Sequence, residues 1–536
     1  MRKFTADNLM FLREDYPEIY KYVRGRTYDR EQFEPSIAKN GDVVVIFKTA
    51  AGSKQWLYSR YNPSLEAERW AESVEHVASS KDILFCGLGF GYHLKAFMNR
   101  YPDKRIYLYE PQPELFLCAL EHQDLRPILG NKNIAMFGVG PDFETQIDML
   151  SDVFSNSART LTSLIVPFYR NVFQDSIQSY QTAVKTVAGS VISSIQTLKR
   201  FLNDWARNKI ANMAKNIATP SIKGMRGICT GVPALIIGSG PSLGMEIEHV
   251  RRLKGHALLI AAGTSVQALL RYGIKPDLVV TMDPGEYNRK AFEAVDLTEI
   301  PLLYIPTVHS AILQKDYKYV MHAFFQLDTP TAYMMRLTED DPIFQSTATV
   351  SGTAIQAAIY MGCREIVLIG QDYSFPGDQF YTEGVNHASA NVLMNKMNRS
   401  SEWVENVRGG QNRTNRSMNI AREGIEILIH AYPECRFYNG SSVGAVIKHT
   451  QVVSLRELAD RYTSSIQLEE DQWFIKRMVQ HAKPYSVERQ EDIRSRMQTV
   501  YNRSNELMKE FVKLAQHVEA LGRHSNMAEQ QLLIWL

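Results

Sequence analysis

Residues 234–250 read ALIIGSGPSLGMEIEHV. A short apolar run enters Gly238-Ser239-Gly240-Pro241-Ser242, and a helical pattern follows at once. This order of elements suits a phosphate. The glycines let the backbone approach an anion, and Pro241 fits a first helical turn, where its missing N–H costs nothing. The unbonded N–H groups of a helix start face negative charge, and Ser239 and Ser242 add hydroxyl donors. Leu243 stands where the third glycine of a G-x-G-x-x-G fingerprint belongs, and the next strand ends Ala261-Ala262-Gly263 with no carboxylate for a ribose. The loop therefore reads as an anion site and as a poor dinucleotide site.

A second glycine loop, Gly87-Leu88-Gly89-Phe90-Gly91, precedes Glu110 by nineteen residues, counted from its last glycine. A carboxylate so placed can accept a ribose diol, as in NAD or S-adenosylmethionine sites. The same glycines also suit a Rossmann-like unit that keeps them for backbone reasons alone. The residues leave both readings open.

The elements that must carry these loops alternate between strand and helix. DILFCGLGFG, a helix from about Tyr92 and RIYLYEP form one such unit. ALIIG, ALLIAAG, LVVTMDP, PLLYIP, AFFQL and EIVLIGQDYSF form a longer series, with helices such as SVQALLRYG and TAIQAAIYMG between them. That alternation predicts an α/β protein with parallel sheets. The expected fold is a Rossmann-like central domain, a smaller Rossmann-like N-terminal domain, and helical connector and C-terminal regions. The expected boundaries are 1–150, 151–225, 226–450 and 451–536. The stretch 376–416 is polar and long enough to be a lid or binding loop. Met497, Val500, Ser504, Leu507, Phe511, Leu514, Val518 and Leu521 alternate spacings of three and four, a heptad seam. A helix packed in a bundle is the expected use of it; oligomerisation through C-terminal helices is the other.

At 536 residues the chain exceeds one hydrophobic core. Hydrophobic residues are 45% and charged residues 22%, ordinary for a globular protein. A net charge of +2 gives no sequence-wide field for nucleic acid. The opening MRKFTADNLMFLRED is no signal peptide, and no apolar stretch approaches the ~20 residues that span a bilayer. The five cysteines are scattered without CxxC or histidine pairing, which argues against zinc and disulfides and for a reducing, cytoplasmic setting.

GSGPSL, followed about forty residues later by PDLVVTMDP, resembles the central domain of the motility accessory factor (Maf) family of bacterial flagellin-modifying proteins. That domain is similar to bacterial sialyltransferases and to a hydroxymethylpterin diphosphokinase. The resemblance continues through VSGTAIQAAIYMGCREIVLIGQDYSF, Asn386-His387 and FYNGSSVGAVIKH, and covers roughly residues 200–450. It implies transfer of a nonulosonic acid, of pseudaminic or legionaminic type, from its CMP donor to Ser or Thr of flagellin in bacteria. By the same motifs, Gly238, Ser239, Gly240, Pro241 and Ser242 would cradle the CMP phosphate, with Gly263 and Thr264 against the nucleotide. Asp283 stands where the sialyltransferases place an asparagine before proline.

Such a transfer must stabilise departing CMP and an oxocarbenium-like centre, and take a proton from the attacking hydroxyl. No divalent metal or other cofactor is required, and no Asp-x-Asp motif is present. His387 is the favoured base, since histidine titrates near neutrality and this one follows a strand end; His309 is second. Gln371, Asp372 and Tyr373 end the strand EIVLIG, where ligands bind in open α/β sheets. Asp372 would orient a base or bind sugar hydroxyls. Tyr381, Asn439 and Ser441 are further contacts. Competing readings are a diphosphokinase holding Mg²⁺ between Asp283 and Asp372, a non-catalytic flagellin-binding chaperone, and a methyltransferase run from the Gly87–Gly91 loop.

Overall fold

The computed structural model describes residues 4–49, 52–140, 149–150, 153–154, 161–385, 394–395, 397–468 and 472–535. The chain divides into two compact units, Met1–Gln196 and Thr197–Leu536.

In the first unit, four strands form a parallel sheet in the order Ile134–Val139, Arg105–Glu110, Asp82–Cys86, Leu161–Ile165. Asp82–Cys86 is buried throughout, as an apolar strand flanked on both sides must be. The helices Tyr92–Arg100 and Pro113–His122 supply the crossovers between successive strands. A three-stranded antiparallel sheet, Phe33–Ile37, Val43–Lys48 and Lys54–Trp56, precedes them. Leu161–Ile165 differs from the expected helical connector. A five-residue run is too short to display its period, and only pairing with Asp82–Cys86 reveals it as a strand. The connector proper is one helix, Gln174–Ala218.

The second unit is built on an eight-stranded parallel sheet. Its order is Val320–His322, Leu302–Tyr304, Leu278–Thr281, Leu258–Ala262, Ala234–Ile237, Glu365–Ile369, Arg436–Asn439, Gln451–Val452. Alternate residues point to opposite faces. Ala234, Ile236, Ile260 and Val280 enter one core, while Leu235, Ile237, Leu259 and Val279 enter the other. Helices therefore cover both sides, which is the doubly wound α/β arrangement. The chain starts mid-sheet, steps outward to Val320–His322, then returns to place Glu365–Ile369 against its starting strand. That reversal is a topological switch point, where open α/β sheets bind ligands beyond their carboxyl ends.

The polar stretch 376–416 contains an antiparallel hairpin, Glu402–Glu405 with Gln411–Thr414. The long C-terminal helix Val487–Trp535 corrects the bundle expectation. Ile493 is buried and Met497 packs in the same small cluster with Phe324 and Met335. Farther on, Leu507, Phe511, Leu514, Val518 and Leu521 are 58–69% exposed. From Leu507 to Leu521 the heptad seam is exposed within its own chain among the described residues. No helix among them is long and apolar enough to cross a membrane.

Candidate functional site

The two strands that meet at the switch point end in turns that are stitched together. The Gly238 N–H donates to Ile369 O at 2.7 Å, and the Gly240 N–H donates to Gly370 O at 2.9 Å. A Cβ on Gly238 would lie 2.5 Å from Gly370 O and 2.7 Å from Gln371 Nε2. On Gly240 it would lie 2.5 Å from Asp372 Oδ2. Close approach of a second backbone turn, rather than an unusual φ, is what demands glycine at both positions.

Asp372 is 3% exposed, and its carboxylate accepts three hydrogen bonds. It accepts from the Ser242 N–H at 2.8 Å, from the Ser242 hydroxyl at 2.5 Å and from the Ser441 hydroxyl at 2.7 Å. Burial raises its pKa, opposed by those donors. Asp372 thus clamps the glycine loop onto the turn at 441–445, where its own carbonyl accepts from Ala445 N–H. This turns Asp372 away from the roles expected of it, base orientation or sugar binding. It also removes half of the carboxylate pair that a Mg²⁺-dependent diphosphokinase would need. Asn439 is fully buried and braces the same turn, donating to Ala445 O at 3.1 Å and accepting from Ser441 N–H at 3.1 Å. Its geometry is that of a turn brace.

Above this clamp lie the groups still able to bind. Gln371 is 6% exposed. Its Oε1 accepts from the Ser351 hydroxyl at 2.9 Å and from the Tyr373 hydroxyl at 3.2 Å. Its Nε2 is buried with no partner among the described residues, and this is the amide that would meet a Cβ on Gly238. An unpaired buried donor beside a glycine cradle is costly unless something accepts from it. Tyr373 holds a φ of 45°, a left-handed conformation rare outside glycine and of the kind that collects at functional sites. Thr264 donates to the Ser239 hydroxyl at 3.3 Å, and Thr382 N–H donates to Ser239 O at 2.9 Å. Gly263, at φ 60°, lies against Val350, the first residue of the helix Val350–Tyr360. Thr349 caps that helix by accepting from Gly352 N–H. Thr349 and Ser351 thus belong to the site. Their only sequence signal was a Thr-Val-Ser-Gly-Thr start to an otherwise apolar helix.

Asp283 follows the strand Leu278–Thr281. Water reaches its carboxylate, yet protein surrounds it densely enough that desolvation lifts its pKa to about 6. Tyr381 lies close enough to feel that charge, and burial chiefly pushes its hydroxyl up to about 12. His309 N–H donates to Asp283 O at 3.2 Å, so the two turns run side by side. The His309 ring accepts from Ala311 N–H at 3.3 Å and stands 3.6 Å from Glu286. His387 lies outside the described residues. Asp341, in the acidic run 339–341, pairs with Arg489 at 2.9 Å.

The N-terminal glycine loop is filled by its own unit. Glu110 accepts from Leu88 N–H and Gly89 N–H at 2.9 Å each, from Gln112 N–H at 2.7 Å and from the Tyr169 hydroxyl at 2.5 Å. Phe90 N–H donates to Tyr58 at 2.7 Å. A Cβ on Gly87 would strike the Tyr169 ring, and on Gly91 the Ile128 side chain. The carboxylate expected for a ribose instead binds the loop itself, which favours the backbone explanation of the glycines over a cofactor site.

Comparison with known proteins matches these two regions to two families. Residues 39–163 match the family model of the glycosyltransferase Maf N-terminal domain. Residues 207–378 match 6-hydroxymethylpterin diphosphokinase MptE-like proteins. An uncharacterized protein of Treponema pallidum (strain Nichols) is 26% identical over 271 residues, which are 47% of this chain and 86% of that protein. A second from the same organism is 25% identical over 282 residues, 50% of this chain and 46% of that protein. Among solved structures, the MAf glycosyltransferase from Magnetospirillum magneticum AMB-1 is similar with a TM-score of 0.57 at 16% identity, over 89% of this chain and 80% of that one. At that identity the likeness is one of fold.

Proposed function

The chain belongs to the Maf glycosyltransferase family, and from that premise we propose that it transfers a nonulosonic acid from its CMP donor to Ser or Thr of flagellin in the bacterial cytoplasm. The observation that carries this is the unpaired Gln371 Nε2 beside Gly238. A single phosphate can accept from that amide and from the Ser239 hydroxyl, while the N–H groups of Gly238, Gly240 and Ser242 are already given to Ile369, Gly370 and Asp372. In this reading no divalent metal is needed, because fixed donors hold the one phosphate of CMP while it departs.

The step forms a bond from the acceptor oxygen to the anomeric carbon and breaks the bond from that carbon to the phosphate oxygen. CMP leaves with the electron pair, and the hydroxyl proton passes to a base. Asp283 is exposed at a strand end with a pKa near 6, and it takes that proton here. His387 is the other base, separable by its own variant. Thr264, Gly263 and Tyr373 line the nucleotide side, and Asp372 and Asn439 hold the cradle in shape. The exposed seam of the C-terminal helix supports association between copies or with flagellin helices.

A second reading deserves a test, because the match over 207–378 is to diphosphokinase-like proteins. A thermal-shift series with CMP, and with ATP plus Mg²⁺, separates them. A ligand at 100 times its dissociation constant stabilises by about 2.7 kcal/mol. The transferase reading expects CMP alone to stabilise; a response to ATP with Mg²⁺ and none to CMP overturns it.

A further inference from the structure

The second half of the helix Gln174–Ala218 carries asparagines at 208, 212 and 216, four residues apart and hence on one face. They are 4%, 2% and 0% exposed. Burying amides on one helix stripe is unfavourable unless they are bonded, and the bonds of Asn208 and Asn212 converge on the turns that carry Asp283 and His309, while Asn216 Nδ2 has no partner among the described residues. Asn208 Nδ2 donates to Thr307 O at 3.2 Å and to Pro284 O at 3.4 Å, and its Oδ1 accepts from Ser310 N–H at 3.3 Å. Asn212 Nδ2 donates to Pro306 O and Val308 O, both at 2.9 Å. Asn216 accepts from the Tyr304 hydroxyl at 2.8 Å, inside the strand that leads to the second turn.

These carbonyls follow the ends of parallel strands, where the ladder no longer supplies partners and Pro284 and Pro306 have no N–H to offer. The two turns are also tied to each other. Thr307 donates to Met282 O at 2.9 Å, Asn288 donates to Asp283 O at 3.0 Å, and His309 N–H donates to the same oxygen. The assembly is thus two turns cross-braced to each other and pinned to a helix by two side-chain amides.

We propose that Asn208 and Asn212 are positioning residues for the transfer step, holding the 283–285 and 306–310 turns so that the Asp283 carboxylate keeps its place beside the end of its strand. The proposal rests on the transferase reading above. It makes the helix part of the active-site scaffold, where the sequence suggested a connector. Neither amide touches substrate. Each acts through the turn it holds, and displacement of a reacting group by about 1 Å costs on the order of a hundredfold in rate.

The test compares Asn208→Ala, Asn212→Ala and Asn212→Asp with Met213→Ala, a core truncation on the same helix in the cluster of Ile217, Phe324, Met335 and Ile493. CMP-N-acetylneuraminic acid is the donor probe and CMP the binding probe. For the asparagine variants, donor turnover is expected to fall roughly thirtyfold or more, with the CMP dissociation constant held within about twofold. Asn212→Asp should do no better than the alanine variant, because both contacts of Asn212 are donated by its amide. Amide exchange at 283–285 and 306–310 should quicken by about tenfold or more and remain unchanged at 238–244. Met213→Ala should lower the melting temperature and leave turnover within about twofold. Turnover that follows melting temperature across all four variants overturns the proposal, as does unchanged exchange in the two turns. A wild-type chain that neither binds CMP nor releases it from the donor sinks the transferase reading instead, and the exchange data still decide whether the asparagines brace the turns.

Discussion

The Asp372 carboxylate grips Ser242 through both its N–H and its hydroxyl, at 2.8 and 2.5 Å, across 130 residues of sequence. With Ser441 as a third donor, the carboxylate closes the glycine cradle from below. Asp372→Ala strands these buried donors. The expected loss is about 2–3 kcal/mol of unfolding free energy, read from denaturant titration. CMP binding should disappear with it.

Gly240→Ala tests the cradle more locally. Its new Cβ would press 2.5 Å from Asp372 Oδ2 and 2.8 Å from Gly370 O. Overpacking of this kind costs about 1–3 kcal/mol and pushes the two turns apart. Calorimetry should show CMP affinity falling by roughly a hundredfold, while the first unit keeps its own melting transition.

Asp283 gives a pH signature. Its pKa rises from an ordinary carboxylate value to about 6 through desolvation. If its ionised form takes the proton, turnover falls as pH drops through about 6, and Asp283→Asn loses that limb together with most activity. The stability effect has the opposite sign. A group whose folded pKa is raised contributes stability below its unfolded pKa and loses it as pH rises through the folded value. The ionised carboxylate therefore strains the fold at neutral pH, and Asp283→Asn should melt slightly higher than the parent at pH 8. A lower melting point there would argue that Asp283 is structural.

Glu110 belongs to the other unit and answers a different question. Burial lifts its pKa to about 7, against four donors that favour the anion. The same sign holds: its stabilising contribution fades as pH rises from about 4.5 through about 7. Glu110→Gln replaces one accepting oxygen by an amide that faces donors, and should destabilise by about 1–3 kcal/mol while flattening this pH slope. S-adenosylmethionine and NAD should leave the melting curve of the parent chain unmoved, because the loop N–H groups already donate to Glu110 and Tyr58.

The C-terminal seam makes a prediction about mass. Phe511 and Leu514 are 63% and 58% exposed on a helix with heptad spacing. Light scattering should find the parent associated, and Phe511→Lys with Leu514→Lys should reduce the mass toward a single chain. An unchanged mass would leave the seam to another partner.

Much of this is legible in the sequence alone. The parallel strands announced themselves by apolar runs separated by helical spacing, and the strand-to-helix junction at Gly238–Ser242 was legible because a strand, a glycine pair and a helix start occur in immediate succession. Partners distant in sequence were not legible. Asp372 was read as facing a ligand, since a strand end promises that, but nothing local reveals that Ser242 and Ser441 occupy its oxygens. Glu110 failed to be a ribose ligand for the same reason. Asn208 and Asn212 carry a four-residue spacing that any solvated helix face can show, and only burial distinguishes them. Ser351 hid inside an apolar helix, and Leu161–Ile165 was too short for its pairing to be seen.

The cradle also has a timetable. Its three clamped parts, at Ser242, Asp372 and Ser441–Ala445, leave the ribosome in that order, separated by some 200 residues of intervening sheet and helix. At 5–20 residues per second, about 10–40 s pass between emergence of the glycine loop and of the turn that locks it. Ser242 has strand neighbours but no clamp until Asp372 follows it 130 residues later. A chain stopped short of Ser441 would lack the third donor to Asp372, so the cradle closes only once that turn has been made.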